Sequence, residues 1–97
     1  MLSDDGVVAV ALAISAGSGY IIGVPGVSAM GFLYDTEHEK IEAACRKHIA
    51  EYAEKMHRMG HRLVNEIDSG RMQTELRSFL YSRTKRRPVI MINVVEV

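Results

Sequence analysis

The chain has 97 residues, about one domain near the lower end of the common size range, so a single hydrophobic core is feasible but small. Hydrophobic residues make up 47% and charged residues 25%, the balance of an ordinary globule. Twelve basic residues match twelve acidic ones, so net charge selects neither a nucleic acid nor a membrane as partner.

The longest apolar run, Gly6 to Ile14, is too short to span a bilayer. It follows Asp4 and Asp5, the wrong flank for a secretory signal. Cys45 is the only cysteine, which excludes an internal disulfide and any dependence on an oxidising compartment. These features read as a cytoplasmic protein with no membrane partner. There is no internal repeat, low-complexity tract or long linker, so residues 1–97 read as one domain.

Val7 to Ser15 predicts the first strand. Val8, Val10, Leu12 and Ile14 alternate with Val7, Ala9, Ala11 and Ala13, which makes one face bulky and the other small. A strand apolar on both faces is usually covered on both. The small face, Ala9, Ala11 and Ala13, is therefore the candidate contact with another domain or a second subunit. Ser15 to Gly19 has the chemistry of a hairpin loop, and Tyr20 to Ser28 returns as a second strand. Gly23, Pro25 and Gly26 interrupt it and suggest an edge position or a bulge.

Thr36, with Glu39 three residues on, predicts a helix start. Ile41, Cys45, Ile49, Tyr52, Met56, Met59, Leu63 and Ile67 then recur at spacings of three and four and form one helical stripe. Uninterrupted, that helix would run about 46 Å, at about 1.5 Å per residue. Gly60 is the place for a break or bend. Asp68-Ser69-Gly70 is a loop, and Met72, Leu76, Phe79 and Leu80 mark a second helix, ended by Pro88. Val89 to Val97 is the last strand, with Ile90, Ile92 and Val94 on one face. The order β-β-α-α-β predicts an α+β fold, a three-stranded sheet packed against two helices.

The densest charge lies between Arg71 and Arg87: Arg71, Arg77, Arg83, Lys85, Arg86 and Arg87 against the single acid Glu75. Some of these bases complement a helix dipole and cap its last carbonyls. Six exceed that need. Arg77, Arg83, Lys85, Arg86 and Arg87 are therefore candidates either for contact with an acidic neighbouring domain or for RNA phosphates. Tyr81 among them is placed to stack on a base or to pack in the core.

Other clusters point to no chemistry. His57 and His61, four apart, have no evident third ligand, and read as solvent-facing. Cys45 falls on the helical stripe and reads as a packing residue. The mixed charges of the first helix, Glu37, Glu39, Glu42, Glu51 and Glu54 with Lys40, Lys47, Lys55 and Arg58, form a solvated face. No pair of carboxylates is set in apolar surroundings for acid and base work, no glycine pattern leads phosphate to a helix, and no serine occupies a glycine-flanked elbow. No catalytic residue and no metal ligand is assigned.

Three stretches together carry a resemblance. They are Asp5-Gly6-Val7-Val8, Met30-Gly31-Phe32-Leu33-Tyr34 before an acidic helix start, and Phe79 to Ile90 with its Thr84-Lys85-Arg86-Arg87-Pro88 run, ending in Glu96-Val97. Their order and spacing resemble the C-terminal domain of ribonuclease J, an RNA-processing enzyme of the metallo-β-lactamase, β-CASP class, over nearly the whole chain. The chain departs from the usual family pattern at Met30, where a basic residue is common, and at Asn93, near a usual proline.

The resemblance implies a parent enzyme that cuts RNA from the 5′ end and internally, with zinc ions held by His and Asp motifs in a separate catalytic domain. No His-x-His-x-Asp-His segment occurs in this chain. The resemblance therefore implies an accessory domain without catalytic residues or a cofactor of its own. Its expected partners are a second copy of itself, as a homodimer, and the parent's catalytic domain. An RNA-binding module built on Arg83 to Arg87 is the alternative.

Overall fold

The computed structural model of the chain describes residues 6–31 and 35–97, with the backbone alone for 35–37. In chain order the elements are β1 (Val7–Ile14), β2 (Gly26–Met30), α1 (Asp35–Arg58), α2 (Leu63–Asp68), α3 (Arg71–Thr84) and β3 (Val89–Glu96). The fold is α+β. A three-stranded mixed sheet in the order β2-β1-β3 carries the helices on one face, with β1 antiparallel to β2 and parallel to β3.

The alternation of β1 decides which face is covered. Val8, Val10, Leu12 and Ile14 are buried and meet Ala29 from β2 and Ile90 from β3. The helices lay Ile41, Cys45, Ile49, Ala53, Leu63, Met72, Leu76 and Leu80 onto them in one cluster. Because the side-chain period of a strand is two, Val7, Ala9, Ala11 and Ala13 necessarily point to the other side.

The break expected at Gly60 is present and divides the stripe up to Ile67 between α1 and α2, so the fold has three helices and not two. Gly60 takes the left-handed conformation, φ 77°. The N–H of Gly60 bonds the carbonyl of His57 at 3.0 Å and that of His61 bonds Met56 at 2.8 Å, the paired closure of a Schellman ending. The chain restarts at Leu63, which is fully buried. The break also takes Met59 off the stripe to which its spacing assigned it, and it is exposed. A 46 Å rod would overhang a sheet whose longest strands are eight residues. The bend instead returns Leu63 to the core.

The second strand is shorter than the sequence suggests. Of Tyr20 to Ser28 only the part from Gly26 enters the ladder, and it continues to Met30. Ile21 makes an isolated bridge to Ile14, after which Gly23, at φ 73°, and Pro25, with no N–H to donate, carry the chain away. The edge position expected for this strand is the one observed. Both sheet edges are partly closed by helix side chains. Glu42 of α1 accepts a hydrogen bond from the N–H of Ala29 at 2.9 Å, and Gln73 of α3 donates to the carbonyl of Ile90 at 3.2 Å. The capping role expected of Thr36, and residues 1–5 and 32–34 of the stretches quoted above, lie outside the described residues or side chains.

Replacing Gly60 by alanine tests the break. A Cβ there would meet no atom within 4 Å, so the cost is conformational alone. We expect a loss of about 1–2 kcal/mol of stability, read from the urea midpoint.

Candidate functional site

Two surfaces stand out once the helices are in place. The first is the uncovered face of the sheet. The register brings Val7, Ala9, Ala11 and Ala13 of β1 alongside Met30, Ser28 and Gly26 of β2 and Val89, Met91, Asn93 and Val95 of β3. Among the described residues no charged side chain falls on this face. Ala9, Ala11, Gly26, Ser28 and Asn93 line a shallow depression at its middle. The bulkier Met30, Met91 and Val95 are exposed around it. The small residues expected to form a contact surface thus lie at the centre of an open, uncharged sheet.

The second surface is the C-terminal end of α3 and the turn into β3. Arg83 lies over the ring of Phe79 at 5.5 Å, Lys85 over Tyr81 at 5.6 Å and Arg87 over Tyr81 at 5.0 Å. Tyr81 is 42% exposed, so it belongs to the surface and not to the core stripe. Arg77 is exposed one turn before it. Arg71 does not belong to this group. Its guanidinium is committed to Glu66, through Nε at 3.0 Å and Nη2 at 2.6 Å.

The pair of Glu66 and Arg71 is part of a network that periodicity did not reveal. Glu66 is 4% exposed, and the Tyr52 hydroxyl also donates to it at 2.9 Å. The hydrogen bonds from Arg71, with that from Tyr52, hold the Glu66 carboxyl below the usual carboxylate range against the opposing effect of burial. Burial, then the bond to Glu66, pushes the Tyr52 hydroxyl up to about 12. One carboxylate thereby ties α1, α2 and α3 together. Nearby, His48 stacks on Phe79 with ring centroids 4.0 Å apart, and its Nε2 lies 3.2 Å from Glu75. A signal for these contacts existed only as acids, bases and aromatics on different helices, which no spacing along the chain connects.

His57 does not face solvent as expected. It stacks on Tyr20 at a centroid separation of 3.8 Å, and its Nε2 is buried. Since α1 ends at Arg58, His57 and His61 no longer share a helical face. Among the described residues no three of His, Cys, Asp and Glu gather as a metal site. Cys45 has no exposed surface, and burial pushes its thiol up to about 11. It has the inert packing role its place on the helical stripe implied. Among the described residues no helix is long and apolar enough to cross a membrane.

The chain is thus an α+β module with an open sheet face, a basic helix end and a buried carboxylate that joins its three helices. The model of the family described as Ribonuclease J C-terminal domain matches residues 1–97, and the chain belongs to that family. No curated protein matches the chain. The domain is accordingly an accessory part of the ribonuclease J type, a family of hydrolases.

Two measurements check this geometry. Cys45 should resist a thiol reagent at about pH 8 in the native chain and react promptly once urea unfolds it. The Glu66 carboxyl, depressed when folded, contributes stability above its unfolded value near 4.5 and loses it as pH falls through the lower folded value. Glu66→Gln should therefore be less stable than the parent at about pH 6 and lose less on acidification to about pH 3, in paired urea titrations.

Proposed function

We propose that this chain is the non-catalytic accessory domain of a cytoplasmic ribonuclease J-like enzyme, and that it joins two copies of the parent through the open face of its sheet. The parent is read as a metallo-β-lactamase, β-CASP hydrolase that uses zinc to degrade RNA from the 5′ end and to cut it internally. On this reading the zinc lies wholly in the parent's catalytic domain, and the chain by itself hydrolyses nothing.

The uncovered, uncharged sheet face carries the reading. A sheet normally buries its apolar faces, and a contiguous exposed apolar patch marks an interface. The same small-centred surface on two copies suits an isologous contact about a two-fold axis, because each depression receives the bulkier rim of the other. Two strands of eight residues and one of five, about 4.8 Å apart at about 3.3 Å per residue, present a footprint of roughly 330 Å². That is below the roughly 800 Å² per partner of a standard stable interface, so the isolated chain should associate weakly and reversibly.

Sedimentation across a concentration series tests this. We expect a monomer at low micromolar concentration and a growing dimer fraction towards high micromolar. Ala11→Glu, placing a charge at the exposed centre of the face, should abolish the dimer with little change in stability. A chain that stays monomeric at high micromolar concentration would remove self-association and leave the face to the parent's catalytic domain.

A further inference from the structure

The two edges of the sheet are unequally protected. An edge strand leaves a row of backbone groups able to pair with another chain, and proteins blunt it with short strands, proline, bulges or charged side chains. The β2 edge has such protection: the strand has five residues, Gly23 and Pro25 carry the chain away before it, and Glu42 takes the N–H of Ala29. By contrast β3 has eight residues with no proline, glycine, lysine or arginine, and its register against β1 runs without a bulge.

The bonds of β3 to β1 show which of its groups point outward. The N–H of Val89 donates to the carbonyl of Gly6 at 3.0 Å, that of Val97 donates to Ile14 at 3.0 Å, and the Val97 carbonyl accepts from Ala16 at 2.9 Å. In a parallel ladder the N–H and C=O of one residue point to the same side, and the side alternates along the strand. Ile90, Ile92, Val94 and Glu96 therefore turn theirs away from β1. Gln73 occupies the carbonyl of Ile90. Among the described residues nothing bonds the outward N–H and C=O of Ile92, Val94 and Glu96.

On its helix side this open stretch borders a groove of about 300 Å³, lined by Val64, Ile67, Asp68, Val94 and Glu96. Val64 and Ile67 are half-buried and give it an apolar wall. Asp68 and Glu96 are exposed, and among the described residues neither carboxylate pairs with a cation. A strand laid along β3 would alternate its side chains between the open face and this groove. We propose that the edge of β3 docks an extended segment of another protein. The segment adds as a fourth strand, seats aliphatic side chains against Val64 and Ile67, and brings a lysine or arginine to Asp68 and Glu96. The unpaired backbone selects an extended chain, and the two unpaired carboxylates select its charge. The site stands whether or not the open face of the sheet joins two copies.

The test uses the 97-residue chain carrying Ala11→Glu, which keeps the open face from associating, and a labelled hexapeptide in which one lysine and two valines alternate with threonines. Fluorescence anisotropy should show saturable binding, and amide hydrogen exchange at Ile92 and Val94 should slow at least tenfold at saturation. Methylating the backbone nitrogens of both valines should abolish binding, because it removes the donors that face β3. Glutamate in place of the peptide's lysine should weaken binding about fivefold, the scale of an exposed ion pair, and so should Asp68→Lys in the chain. Asp68 is exposed at the end of α2, where a base suits the helix dipole, so that variant keeps the fold. Absence of binding up to about 1 mM peptide overturns the proposal. So does equal binding of the methylated or the glutamate peptide, or binding that leaves exchange at Ile92 and Val94 unchanged. Slowed exchange at those amides with rising chain concentration and no peptide also overturns it, and assigns the edge to a second copy.

Discussion

The parallel pairing of β1 with β3 constrains everything else in this small domain. Eight consecutive pairs, from Val7 with Val89 to Ile14 with Glu96, put the end of the chain beside its beginning and pointing the same way. A hairpin cannot make that connection. The chain must leave the sheet after β2, cross it and return, and it does so as three helices. All three lie over Val8, Val10, Leu12 and Ile14, because these are the residues that offer bulk. The opposite face is left bare, so its openness is a consequence of the topology.

The same crossing explains why the polar groups are placed as they are. Three helices packed on three strands must be joined to one another as well as to the sheet. Glu66 fills that role with its carboxylate, holding Tyr52 of α1 and Arg71 at the start of α3. The short α2 has no side-chain cap, and this network anchors it. The acids and bases thus divide by role. Arg71 and Glu66 hold the fold, and Glu42 and Gln73 close sheet edges.

Membership of the ribonuclease J C-terminal domain family places the chain beside an RNA-degrading hydrolase, and its geometry offers that enzyme an uncharged sheet and a basic helix end. The two surfaces differ in the physics of their contacts. A contact through the sheet face would gain from burying apolar area and be little affected by salt, whereas one through the helix end would act through charges that salt screens.

The strands, the helical stripes and the break at Gly60 were legible because burial imposes a period of two or of about 3.6 on the residues themselves. The small face of Ala9, Ala11 and Ala13 and the basic run were legible for the same reason, as local composition. The true extent of β2 and the exposure of Met59 were not, since each depends on where the chain turns and what it then meets. Nor were the contacts of Tyr52 with Glu66, Tyr20 with His57 and His48 with Phe79, whose partners lie far apart in sequence. The fold class, the core faces and the family resemblance follow from the sequence alone, because they rest on local pattern. Which face stays open and which bases are spent on the fold were decided only by tertiary structure, because both depend on long-range pairing.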